Sequence, residues 1–118
     1  MTEYVVMFPA DDEAGWETRT EAERQVTFDT DFEFGQLLEA RGGAVTGGAG
    51  LTHSNLARTL KRGPKSDVFV TDGPFTESTE QLSGFYIVRA DDYDALVECA
   101  RILTRVHPVV EIRPIQEF

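Results

Sequence analysis

The first apolar block, Tyr4-Val5-Val6-Met7-Phe8, is continuous and is stopped by Pro9. Apolar residues on both faces suit an interior strand covered on each side. Residues 9–19 are acidic and irregular and read as a loop, with Trp16 in the middle. An indole is a large apolar area to leave wet, so Trp16 is expected either as a lid over the core or as an aromatic wall of a ligand pocket. Thr20 and Glu23 then have the spacing of a capping box. Beyond them Phe28, Phe32, Phe34, Gly35 and Leu38 fall within an arc of roughly 160° at 100° per residue. This predicts one face of a long amphipathic helix ended by Gly42-Gly43, with Asp29, Asp31, Glu33 and Glu39 on its solvated outer face.

Residues 43–51 are rich in glycine but lack the lysine of a phosphate loop and the spacing of a dinucleotide fingerprint. They read as a glycine-kinked strand whose backbone bulges or lies close to something else. Residues 57–61 and 67–71 flank Arg62-Gly63-Pro64-Lys65-Ser66, the signature of a hairpin. Asp72-Gly73-Pro74-Phe75 breaks the second strand, and residues 76–81 form a helical turn. A strand at Gly84-Phe85-Tyr86-Ile87-Val88 leads to a second helix starting at Asp91 or Asp92, with Leu96, Cys99, Ala100 and Leu103 inside. Residues 109–113 alternate as a last, half-buried strand closed by Pro114. The order predicts a single α+β domain over residues 1–118. Its form is a ferredoxin-like antiparallel sheet with two helices on one face and an added hairpin. Two helices cover only one face, so a homodimer with the sheets face to face, or closed into a barrel, is expected.

Charge narrows the partners. The 118 residues carry 21 acids against 11 bases, a formal net charge of −10. Eleven of those acids precede residue 41, where the only bases are Arg19 and Arg24. So acidic a surface repels nucleic-acid phosphates and anionic lipid, so neither nucleic acid nor membrane is an expected partner. One cysteine excludes an intramolecular disulfide and suits a reducing compartment. The opening Met-Thr-Glu-Tyr-Val lacks the basic and apolar regions of a secretion signal, and a cytoplasmic protein is the expectation.

Candidate chemistry is sparse. Asp72-Gly73-Pro74-Phe75 reads structurally as a turn anchored by Phe75. It reads functionally as a device holding the Asp72 carboxylate over a barrel mouth, where crowding by Glu77 and Glu80 raises one pKa for general acid or base work. His53 is the acid–base partner that the fold would have to bring beside Asp72. His107-Pro108 reads as part of a turn, Cys99 as a packing residue on the second helix, and Ser54 and Ser83 lack a nucleophile elbow. Tyr86 alternates with Phe85 along its strand, one facing the helices and the other a second sheet or cavity. Arg58 is the cation for an anionic ligand. Two histidines and one cysteine do not build a structural zinc site, and neither a metal nor an organic cofactor is expected.

The stretch from Val70 through Asp72-Gly73-Pro74-Phe75 to Gln81-Leu82-Ser83-Gly84-Phe85-Tyr86-Ile87-Val88 resembles the signature of the YCII-related proteins, DGPF subgroup, named for the tetrapeptide at 72–75. The resemblance extends to the opening strand at Tyr4, the helix closing in Gly42-Gly43, the strand end at Gly50-Leu51 and the closing Val110-Glu111-Ile112-Arg113-Pro114. It implies a fold similar to the dimeric α/β-barrel superfamily, some of whose members are small-molecule enzymes. It also implies a His–Asp catalytic pair, from which this sequence departs: the first helix has no histidine, and neither His53 nor His107 matches the motif. Two functions are therefore expected side by side. One is a homodimer with a small-molecule pocket, with Asp72 and His53 as acid and base and Phe75, Tyr86, Trp16 and Arg58 lining it. The other, implied by the company such proteins keep with extracytoplasmic-function sigma factors, is a non-catalytic accessory protein using its acidic helix against a basic surface on a regulator.

Overall fold

The computed structural model describes residues 2–76 and 81–118. It is an α+β arrangement with an antiparallel sheet and three α-helices among the described residues. Strand β1 (Thr2–Met7) is flanked by β5 (Gly84–Ala90) and β6 (Glu111–Pro114), and β2 (Ala44–Gly50) lies outside β5. The order is β2-β5-β1-β6, and every neighbouring pair is antiparallel. Central placement explains the continuous apolar run. Tyr4, Val6 and Phe8 point into the helix side and are buried, while Val5 and Met7 sit opposite Ile87 and Phe85 on the other, half-buried face. Within the chain the sheet stays open and does not close into a barrel.

Helix α2 (Glu21–Glu39) starts where the capping box predicts. Thr20 Oγ1 accepts from the Glu23 N–H, and Glu23 Oε1 accepts from the Thr20 N–H, both at 3.2 Å. It ends with Gly42 at φ +84°, and the Gly43 N–H returns to the Leu38 carbonyl at 3.0 Å. Helix α3 (Tyr93–Ala100) is capped by Asp92 and buries Leu96, Cys99 and Ala100, as expected. A 3-10 turn over Arg101–Arg105 continues it and buries Leu103. Phe34 and Leu38 from α2 meet Leu96 and Leu103 against Val6 and Val88, all six essentially fully buried. Each such side chain contributes about 1.5–3 kcal/mol by leaving water.

Three expectations are corrected. Residues 9–19 are not wholly irregular: Asp12 Oδ1 accepts from the Gly15 N–H at 3.1 Å and caps a short helix, α1 (Glu13–Thr18). The buried stripe of α2 is Thr27, Thr30, Phe34 and Leu38, turned by roughly 80° from the predicted arc. Phe28 and Phe32 are 52% and 69% exposed. Two threonines replace two phenylalanines because the small side chains permit close approach, and the Thr30 hydroxyl is satisfied by the Val26 carbonyl at 2.9 Å. Asp31, expected on the solvated face, is instead largely buried: at 100° per residue it falls roughly 20° from Leu38. Finally, β6 begins at Glu111 rather than at 109. The helical turn expected at 76–81 lies largely outside the described residues.

The expected hairpin is present as β3 (Arg58–Arg62) and β4 (Val68–Asp72), and it forms a separate two-stranded sheet. Leu60, Val68 and Val70 share one of its faces and are all exposed. The radius of gyration is 16.4 Å, against roughly 13.5 Å for a compact chain of this length. Strand β2 carries the expected bulge, between Val45 and Gly47. Gly48, at φ +147°, lies so close to β5 that a β-carbon there would strike the Phe85 carbonyl and stand 2.8 Å from Tyr86 Cδ1, whereas Gly50 has open space. Gly48→Ala should therefore cost about 1–3 kcal/mol, and Gly50→Ala should stay within about 0.5 kcal/mol of wild type, as read from urea unfolding midpoints.

Candidate functional site

Past α3, the chain cannot continue as helix because residue 108 is proline. The Val106 and His107 N–H groups both fold back onto the Leu103 carbonyl, at 3.2 and 2.9 Å, and this turns the His107 ring inward. The ring stacks flat on Phe8, with centroids 3.7 Å apart and planes at 10°, and the residue is 5% exposed. Just beyond Phe8 the chain is zipped to the start of β5: Phe8 N–H donates to the Gly84 carbonyl and Ser83 N–H to the Phe8 carbonyl. That zipper carries Asp11 to one side of the imidazole. Helix α2 brings Asp31 to the other.

His107 Nδ1 lies 2.8 Å from Asp11 Oδ2, and Nε2 lies 3.0 Å from Asp31 Oδ1. Ser83 Oγ donates to Asp11 Oδ2 at 2.5 Å, and Tyr86 Oη donates to Asp31 Oδ2 at 2.6 Å. Both ring nitrogens face carboxylate oxygens, so both donate, and that requires the imidazolium. Burial by itself pushes the imidazole pKa down. The hydrogen bonds to Asp11 and Asp31, with their negative charges, outweigh it and raise the pKa to about 9. Burial also lifts the Tyr86 phenol well above its ordinary value, and Asp31 adds to the shift through its hydrogen bond and charge. Asp11 Oδ1 is buried without a hydrogen-bond partner.

These five side chains line one end of a cavity of about 830 Å³. Trp16 of α1 forms part of its wall, set edge-on against Phe28 with centroids 5.6 Å apart. Arg24 pins the indole by donating to the Trp16 carbonyl at 3.0 and 3.2 Å, with its guanidinium over the ring. A second latch joins α1 to the loop after β2. Glu13 accepts from the Ser54 N–H at 2.8 Å and from the Ser54 hydroxyl at 2.6 Å. His53 stands beside it, with Nδ1 accepting from the Asn55 N–H at 3.0 Å.

Of the residues singled out in the sequence, Trp16, His53 and Tyr86 line this cavity, while Asp72, Phe75 and Arg58 do not. His53 and Asp72 are not brought together: His53 neighbours Glu13, and Asp72 faces Arg58 across the hairpin at 3.7 Å, both largely exposed. The reason is local. Gly73, at φ +103°, donates to the Ala57 carbonyl at 2.7 Å and accepts from the Thr59 hydroxyl at 2.8 Å, so the tetrapeptide closes the base of the hairpin. Phe75 is 76% exposed, with the Lys61 ammonium over its ring. Glu77 and Glu80 lie outside the described residues. The sequence reading missed Asp11, Asp31 and His107. The available signals were the position of Asp31 inside the apolar arc of α2, next to Leu38, and a histidine held just before a proline at the end of an apolar helix. Among the described residues no three-residue metal-holding group occurs, and no helix is long and apolar enough to cross a membrane.

The raised His107 pKa has a definite sign. Protonation favours the folded state, so the contribution is fully present below pH 6.5 and is lost as pH rises through about 9. It is on the order of 3 kcal/mol. Urea unfolding of wild type across this window should show that loss, and His107→Gln should lack it. A wild-type stability that is flat from neutral to alkaline pH would contradict the clamp.

A model of the YCII-related domain matches residues 3–118. Over 70 residues, 57% of the chain, the sequence is 36% identical to an uncharacterised protein of Rhizobium meliloti (strain 1021), and the match covers 56% of that protein. The chain thus matches about half the length of that relative. Because the domain match runs through nearly the whole chain, the protein belongs to the YCII-related domain family.

Proposed function

We propose that this YCII-related protein, of the DGPF subgroup and the ferredoxin-like dimeric type, binds a small molecule in the cavity and performs acid–base chemistry on it. The observation that carries the reading is the buried His107 imidazolium held between Asp11 and Asp31 at one end of an 830 Å³ cavity. A cavity of this size with a few convergent polar groups is the usual form of a ligand site. His107, with both N–H groups held by Asp11 and Asp31, fixes the two carboxylates, and these serve as the proton acceptors. His53, also on the cavity lining, is a second proton carrier. Support for the homodimer comes from the half-buried Val5, Met7, Phe85 and Ile87 and from the exposed hairpin, since a two-stranded sheet is marginal alone in water. In this reading Arg58, Asp72 and Phe75 act at the contact between copies.

The regulator-binding alternative draws less support from the acidic helix. Asp31 is inside, Glu33 faces Arg105 at 3.7 Å, and Asp29 accepts from Gln25 at 2.8 Å. Native mass spectrometry of freshly purified protein tests the proposal. A dimer retaining a small organic molecule is expected, with retention lost in His107→Gln and kept in Asp72→Asn. A monomer sinks the dimer reading. Equal retention by both variants sinks the assignment of the site to His107.

A further inference from the structure

The relay also restricts what the cavity accepts. Every proton in it is committed inward: the Ser83 hydroxyl to Asp11, the Tyr86 hydroxyl to Asp31, and both His107 N–H groups to the two carboxylates. What these side chains leave for a ligand is lone pairs only, on hydroxyl and carboxylate oxygens. Two carboxylates against one imidazolium leave this end of the cavity with a net negative charge. An anion placed there meets repulsion and finds no donor among these side chains, whereas an N–H donor finds acceptors on both sides. The walls add a preference for an apolar body. Trp16 and Phe28 present apolar surface for the body of a ligand, the Trp16 ring already carrying Arg19 and Arg24. The arginines among the lining residues lie elsewhere, Arg19 and Arg24 over Trp16 and Arg105 against Glu33, so the acceptor end is the part of the cavity that selects a cation.

We propose that the cavity takes an organic ammonium with an aromatic or apolar body and excludes carboxylates and phosphates of the same shape. The inference rests on the reading of the cavity as a small-molecule site and specifies its ligand class. Three probes of matched size separate the two: 2-phenylethylammonium, 3-phenylpropionate and 2-phenylethanol, titrated calorimetrically into the full chain at neutral pH. The ammonium should bind at least about tenfold more tightly than the propionate, with the alcohol between them. Asp11→Asn, which keeps the shape but adds a donor and removes a charge, should shrink that ratio toward one. Its thermal melt establishes whether it folds, and the wild-type ratio stands as a test without it. Propionate binding as tightly as the ammonium, or alcohol binding equal to it, overturns the ligand class and leaves the pocket reading intact. Binding by none of the three overturns both.

Discussion

The His107 imidazolium between Asp11 and Asp31 is the interaction on which the rest of the arrangement depends, because its partners come from distant parts of the chain. Asp11 follows β1, Asp31 is on α2, and His107 follows the 3-10 turn after α3. Ser83 and Tyr86 add the start of β5. A buried ion pair earns little net stability over a well-packed apolar substitute, yet losing one member leaves an uncompensated buried charge. The clamp is therefore better understood as a device for specifying geometry. It fixes the angle at which α2 meets the sheet, and it places two carboxylates and a cation where a cavity begins.

Backbone geometry completes the cavity. The glycine at 48 lets β2 approach β5 more closely than any β-carbon permits, so the strand forms a wall beside Tyr86. Helix α1 buries none of its own residues completely and is held by Arg24, by the edge of Phe28 and by the Glu13–Ser54 latch. Elements held by a few polar contacts open more readily than a packed core. A wall of this kind is suited to admitting a ligand, whereas β5 and α2 are anchored in the core through Val88, Phe34 and Leu38.

Much of the local structure was legible in the residues. The capping box at Thr20 and Glu23, the glycine stop at 42–43, the hairpin around Gly63-Pro64, the bulged β2 and the inner face of α3 all follow from spacing and turn chemistry, which act over a few residues. The rotation of α2 was not legible, because a count of apolar positions weights Phe28 and Phe32 above Thr27 and Thr30. Here the phenylalanines are half-exposed and the threonines are buried. Asp31 was placed on the wrong side of the helix by its charge alone, although at 100° per residue it falls within the apolar arc, roughly 20° from Leu38. The centre of the site was lost with it. The tetrapeptide at 72–75 drew attention for its composition, and the structure places it at the base of a hairpin.

By itself, the sequence determined the order of the strands and of the two main helices, the α+β class, the acidic surface and the family, since propensities, caps, hydropathy periods and net charge are properties of short segments or of the whole composition. Only the tertiary structure decided that His107 meets Asp11 and Asp31, at separations of 96 and 76 residues. It alone placed Trp16 and His53 on the same cavity and left Asp72 outside it. Contacts of that range depend on the angle of one helix against one sheet, and no local signal encodes an angle between elements that meet only when the chain has folded.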